Sequence, residues 1–148
     1  MLDSMLKYDA DIIDVAHIPQ DHVDRLWADA APLLEKAQRR VADKMDLDDV
    51  LNDIRGGSLQ LWMVVVNGVL MAAMTTRIVS YPKKKNLLIN LIGGYEMDRW
   101  MPSALDALKE MAKINGLSGI EGYGRKGWEK ILKNTSFVPV FTNYEMEI

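Results

Sequence analysis

Asn67-Gly68 stands between two apolar runs, "LQLWMVVV" and "VLMAAMTTRIVSYP", and no other feature restricts the fold of this chain so tightly. A two-residue hairpin turn that matches the twist of its strands needs positive φ at both central residues. Asn followed by Gly meets that need at the least steric cost. The two runs are therefore expected to be neighbouring antiparallel strands. A third run, "NLLINLIGG", follows the polar turn "PKKKN" and extends the pair to a three-strand meander.

Elements of other periods flank the meander. "ADIIDVAHI" is rich in β-branched residues at near alternation, which predicts a first strand over about residues 10 to 18, stopped by Pro19. Val23, Leu26, Trp27, Leu33 and Leu34 recur at helical spacing, with Pro32 expected to break or kink the helix. "DLDDVLNDIRGG" reads as a short helix capped by Asp46 or Asp48 and ended at Gly56 and Gly57. Past the meander, Leu105, Leu108, Met111 and Ala112 form the stripe of a helix from about Asp98 to Asn115, closed by Asn115-Gly116. "SGIEGYG" is then a short strand, "RKGWEKILKN" a short helix and "PVFTNYEMEI" a terminal strand. The order β-α-α-β-β-β-α-β-α-β predicts one α/β (α+β) domain over residues 1–148: a mixed sheet of about six to seven strands flanked by about four helices.

Composition narrows the function classes. At 148 residues and 49% apolar content the chain can bury a single core. A net charge of −3 gives no global attraction to nucleic acid or anionic lipid, so nucleic acid is not an expected partner. Cysteine is absent, which removes disulfides, thiolate metal sites and a cysteine nucleophile together. His17 and His22 lack any carboxylate-histidine spacing that would hold a metal. The opening "MLDSMLKYDADII" has acids where a secretion signal needs a basic start, and "LWMVVV" is too short to span a bilayer, so a cytoplasmic location is expected.

The element order, together with "LIGGYEMDRWMPSALDALKEMAK" and "GYGRKGWEKILKNTSF", resembles the GNAT superfamily of N-acetyltransferases over essentially the whole chain. The Gly124-Arg125-x-Gly127-Trp128 stretch is similar to one in small GNAT-like proteins encoded by phages and prophages. That resemblance implies a splayed central strand pairing with the pantetheine arm of acetyl-CoA, here Leu88 to Ile92, and a pyrophosphate-wrapping turn over Tyr95 to Ser103. Carried over by position, Leu91, Ile92, Gly93, Gly94, Arg99 and Ser103 would contact the cofactor. Glu121 would be the general base, and Tyr144 or Tyr123 would protonate the departing thiolate.

This sequence departs from the family pattern at the turn. No glycine lies between Gly94 and Gly116, and with Ser103-Ala104-Leu105 on the first helical turn, Trp100 and Pro102 fall where small residues belong. Trp adds bulk and Pro removes an N–H donor. The expectation is a degraded cradle that binds acetyl-CoA weakly or not at all.

Two functions follow. One is an acetyl-CoA-dependent N-acetyltransferase, with the acidic "VADKMDLDD" between the first two helices suited to a cationic acceptor. The other is a non-catalytic phage protein that uses the scaffold for protein-protein contact, as a virion or ejection component or a host-enzyme inhibitor, in the host cytoplasm or the virion. A homo-oligomer is compatible with both. Arg125, Lys126, Lys130 and Lys133 surround Trp128, whose expected role is to hold the last helix against the splayed strand.

Overall fold

A computed structural model describes residues 10–148; the reading of the first nine residues lies outside them. The elements are β1 (Ile13–Ile18), α1 (Gln20–Arg39), α2 (Leu47–Arg55), β2 (Gln60–Val66), β3 (Val69–Ser80), β4 (Lys85–Gly94), α3 (Met97–Ile114), β5 (Gly119–Gly122) and α4 (Trp128–Leu132). The strands form one sheet in the order β1-β2-β3-β4-β5. The first three pairings are antiparallel and β4 with β5 is parallel, so the sheet is mixed.

The hairpin forms where Asn67-Gly68 predicts it, with φ of 50° and 80° at the two turn residues. Asn67 does more than turn the chain. Its Nδ2 donates to Asp11 Oδ1 at 3.0 Å and its Oδ1 accepts from the Ile12 amide at 2.8 Å, which ties the start of β1 to the hairpin. Asp11 in turn receives Arg99 Nη2 at 2.9 Å and Nε at 3.1 Å, so one carboxylate joins the hairpin to the first turn of α3.

The sheet has a core on each face. On one side α1 and α2 bring Val23, Ala30, Leu34, Val50 and Ile54 onto Leu61, Met63, Ala73 and Leu91. On the other α3 lays Trp100, Met101, Ala104, Leu105 and Leu108 on Trp62, Val64, Met74 and Leu87. Since strand side chains alternate between faces, this two-sided burial explains why β2 and β4 read as continuous apolar runs.

Two expectations need correction. The sheet has five strands among the described residues, because the segment "PVFTNYEMEI" pairs with no strand. The α+β class is otherwise as predicted, with four helices flanking the mixed sheet. Pro32 does not end or break α1, which runs for 20 residues through it. Its missing N–H would have bonded the Ala28 carbonyl, and residue 28 is exposed, so water can take that acceptor.

A splayed strand pair and its cationic cleft

β4 and β5 pair only from Asn86↔Gly119 to Ile89↔Gly122. β4 then runs on alone on that side through Asn90 to Gly94, still bonded to β3 on the other. Asn90 is the extra residue of a bulge, since Thr75 lies opposite Leu91 and Thr76 opposite Ile89. Thr75 Oγ1 accepts from Asn90 Nδ2 at 3.1 Å and from the Leu91 amide at 3.2 Å, which fixes the bulge. A bulge bends its strand and increases local twist, so β4 leaves β5 where the bulge sits. The consequence is a strip of backbone donors and acceptors, Asn90 to Gly94, without a strand partner on its β5 side.

A cleft of about 280 Å³ opens at the end of that strip, lined by Ile92, Gly93, Gly94 and Tyr95, by Lys36 and Arg40 of α1, and by Arg125 and Trp128. Among the described residues three cations line it and no carboxylate does. The geometry suits an anion joined to an extended polar chain.

The two glycines have a structural reason to be there. A Cβ on Gly93 would lie 2.1 Å from the Leu33 carbonyl oxygen, so α1 crosses β4 at a distance only glycine permits. A Cβ on Gly94 would lie 2.3 Å from the Met71 carbonyl oxygen. Any side chain at Gly93 disturbs the fold, so substitution there cannot report on ligand binding alone.

α3 starts within one residue of the expected Asp98, but Ser103 is not on its first turn as the cofactor pattern required. The helix begins at Met97, with Glu96 as N-cap at φ 51° and ψ 51°. Trp100 is fully buried and sends its indole N–H 2.7 Å to the Tyr95 carbonyl, so it lies in the core beneath the helix and not in the cradle. Pro102 is in the second helical turn, where its missing N–H costs the cradle nothing. Ser103 is likewise within the helix, beyond the free amides of the first turn. Arg99 is engaged by Asp11 and, at 3.2 Å, by Glu96. Hydrogen bonding to Asp11 raises the Arg99 pKa, and the Arg99 guanidinium lowers that of Asp11. The steric grounds for a degraded cradle are thus absent, because the first helical turn is formed by Met97 to Trp100 and not by Ser103-Ala104-Leu105. Of the residues expected to contact cofactor, Ile92, Gly93 and Gly94 line the cleft and Arg99 and Ser103 do not. Leu91 turns into the core on the α1 face.

Glu121 lies one step before the splay, opposite Leu88. Its carboxylate accepts from the Tyr81 hydroxyl at 2.7 and 2.8 Å and from Asn86 Nδ2 at 2.8 Å. The Tyr81 pKa is raised, chiefly by its hydrogen bond to Glu121 and then by partial desolvation. Asn86 is buried and its Oδ1 has no partner. Tyr144 is 88% exposed in the last segment and does not join this group, whereas Tyr123 is near enough to Tyr81 to influence its ionisation. Sequence reasoning missed Tyr81, Lys36 and Arg40. Tyr81 follows the third strand directly and Lys36 and Arg40 lie near the end of α1, and only the topology brings them to β5 and β4. Of the acids between α1 and α2, Asp46 and Asp49 are used as a reciprocal cap of α2.

No family model matches the sequence, and no curated protein resembles it significantly. Solved structures do match. The chain superposes on a ribosomal-protein-alanine N-acetyltransferase from Brucella melitensis biovar Abortus 2308 with a TM-score of 0.68 at 13% identity, covering 93% of this chain and 99% of that one. A predicted acetyltransferase from Clostridium acetobutylicum, solved with acetyl-CoA, matches at a TM-score of 0.63 and 15% identity, over 92% and 96% of the two chains. The aminoglycoside N-acetyltransferase AAC(6')-Iy, in complex with CoA, matches at 0.66 and 11%, over 95% and 97%. The fold is GNAT-like. At such identities the likeness concerns the fold, and the chemistry has to be argued from this chain's own residues. Among the described residues no helix is long and apolar enough to cross a membrane, and no group of three His, Asp or Glu could hold a metal ion.

Proposed function

We propose that this protein is an acetyl-CoA-dependent N-acetyltransferase whose cofactor lies along the open side of β4, with its phosphates in the cleft that α1, β4 and the loop before α4 form. The observation that carries the reading is the pairing of an open backbone strip, Asn90 to Gly94, with three cations and no carboxylate at its end. The pantetheine arm holds two amide groups on an extended chain and would add to β4 as a further strand does. Lys36, Arg40 and Arg125 would take the phosphates, with Arg125 able to bind two oxygens at once.

Bound acetyl-CoA supplies an activated acyl carbon: the amine nitrogen forms the new C–N bond, the C–S bond breaks, and CoA leaves as a thiolate. Glu121 accepts the proton that the amine must lose. Tyr81 donates to that carboxylate and, with its pKa raised, stays protonated at neutral pH. The phenol therefore orients Glu121 and is also a proton source at the same spot. Asp43 and Asp48, the acids near α2 that its cap leaves over, favour a cationic acceptor.

Calorimetric titration with acetyl-CoA, run beside a thiol-release assay with polyamine and peptide amines, tests the reading. Binding that weakens about tenfold or more in Arg125→Glu, with transfer lost in Glu121→Gln, is the expected result. Absence of binding at millimolar acetyl-CoA would refute it. The non-catalytic reading would then lead, supported by Arg99 being committed to Asp11 and Glu96 and by the apolar surface of the last segment. A phage setting, with a virion or host-enzyme partner, belongs to that second reading and rests on the Gly124-Arg125-x-Gly127-Trp128 stretch.

A further inference from the structure

Asn86 is 7% exposed, and its side-chain oxygen Oδ1 meets no donor among the described residues. A buried carbonyl oxygen without a partner lowers stability, so something else must account for it. The backbone does not. Asn86 lies inside the ladder, opposite Val79 of β3 and Gly119 of β5, and the next two residues, Leu87 and Leu88, are buried. An apolar residue would suit such a place better, since asparagine is depleted in strands.

The other end of the amide gives the account. Asn86 Nδ2 donates to Glu121 Oε2 at 2.8 Å, while the Tyr81 hydroxyl, with one proton to give, lies 2.8 Å from that same oxygen and 2.7 Å from Oε1. Each carboxylate oxygen has two lone pairs. Both lone pairs of Oε2 are therefore engaged, and Oε1 keeps one free. Turning the amide over would set its oxygen against the carboxylate, so the anion dictates the orientation that leaves Oδ1 alone. The seat matches: a Cβ on Gly119 would lie 3.2 Å from Asn86 Oδ1, so β5 comes this close to the amide because residue 119 carries no side chain.

We propose that Asn86 is a positioning residue that holds the Glu121 carboxylate against rotation and assigns proton acceptance to Oε1. It acts through Glu121 and not on the acetyl group. In the transfer step the amine N–H bond breaks, its electron pair stays on nitrogen for the new C–N bond, and the proton binds Oε1. A carboxylate without this anchor would turn about its Cγ–Cδ bond, and fewer encounters would find a lone pair aimed at the amine. The inference rests on Glu121 being the base of the proposed transfer.

Asn86→Leu, which removes both polar atoms at similar side-chain length, tests it beside Gly119→Ala, which keeps the amide and presses on it. In Asn86→Leu, kcat should fall about tenfold or more with KM for acetyl-CoA unchanged, and Gly119→Ala should show a smaller loss of the same kind. The melting point of Asn86→Leu should hold or rise, because the unpartnered oxygen is gone. Tyrosine ionisation, followed by ultraviolet absorbance without acetyl-CoA, gives a readout apart from activity. The late-ionising Tyr81 should move toward the other tyrosines in Asn86→Leu, since a carboxylate free to turn holds the phenol less firmly. An unchanged kcat, an unchanged Tyr81 ionisation, or a melting point lowered by about 5 °C or more would each overturn the proposal and leave Asn86 a structural residue. A parent chain that transfers no acetyl group would overturn the enzyme reading and the role of Oε1 with it, whereas a shifted Tyr81 would still show that Asn86 fixes the carboxylate.

Discussion

Tyr81 and Glu121 show how one side-chain pair can be read in more than one way. Their bond spans β3's exit and β5, so it helps hold the parallel pair together, and it also places a protonated phenol beside the carboxylate expected to act as base. The raised Tyr81 pKa gives the pair a defined pH dependence. A group whose pKa is higher in the folded state contributes stability below its unfolded value, which is then lost as pH rises through the folded value. The contribution should therefore be intact below the ordinary tyrosine value of 10.0 and disappear above it. Spectrophotometric titration should find one tyrosine ionising later than the rest, and Glu121→Gln should move it back toward them. Simultaneous ionisation of all tyrosines in the parent chain would remove Tyr81 from the proposed proton path. Neither Tyr81 nor Asn86, the two donors to Glu121, could have been picked out from the sequence. Both look like ordinary strand-end residues until β5 returns parallel to β4 and sets Glu121 against them.

At the scale of elements, α3 was legible as a helix and misread in its phase. The apolar stripe Leu105, Leu108, Met111 and Ala112 gave its direction of burial, and its end at Ile114 agrees with the Asn115-Gly116 stop. Its beginning at Met97 lies one residue before the expected Asp98, and the misplacement came from setting Ser103-Ala104-Leu105 on the first helical turn. The error moved Trp100 and Pro102 into a turn they do not occupy. Trp100 and Trp128 should separate core from edge. Trp100 is fully buried, so Trp100→Ala should cost about 3–5 kcal/mol, measured by urea unfolding. Trp128 is only half-buried on a five-residue helix, and a Cβ on Gly124 would lie 3.0 Å from Trp128 Cβ and 3.1 Å from its ring. Removing it should cost less, about 1–3 kcal/mol, and should also reshape the cleft that it lines. Equal losses at both sites would place α4 within the cooperative core and make its role purely structural.

At the scale of the whole molecule, the hairpin, the helical stripes and the continuous apolar strands made the α+β class legible, since each is a local pattern. The splay is not local: it depends on a bulge at Asn90 and on where β5 ends, and neither has a sequence signature. The cationic cleft likewise joins α1, β4 and the loop before α4, which are far apart along the chain. Its electrostatic character leads to a measurement that the fold alone does not dictate. A ligand present at one hundred times its dissociation constant stabilises a protein by roughly 2.7 kcal/mol. For a domain near this size each kcal/mol moves the melting point by about 2–4 °C. Millimolar acetyl-CoA acting at a dissociation constant on the order of 10 μM should therefore raise the melting point by about 5 °C or more. If the phosphates carry the affinity through Lys36, Arg40 and Arg125, acetyl-pantetheine, which has none, should give a much smaller rise. Added salt should also shrink the acetyl-CoA effect, because the cations lie at the surface. Lys36→Glu with Arg125→Glu should abolish the difference between the two ligands while leaving the melting point of the free protein nearly unchanged. Equal shifts from acetyl-CoA and acetyl-pantetheine would mean that the three cations serve another purpose, and the cleft would then have to recognise its ligand through the open strand alone.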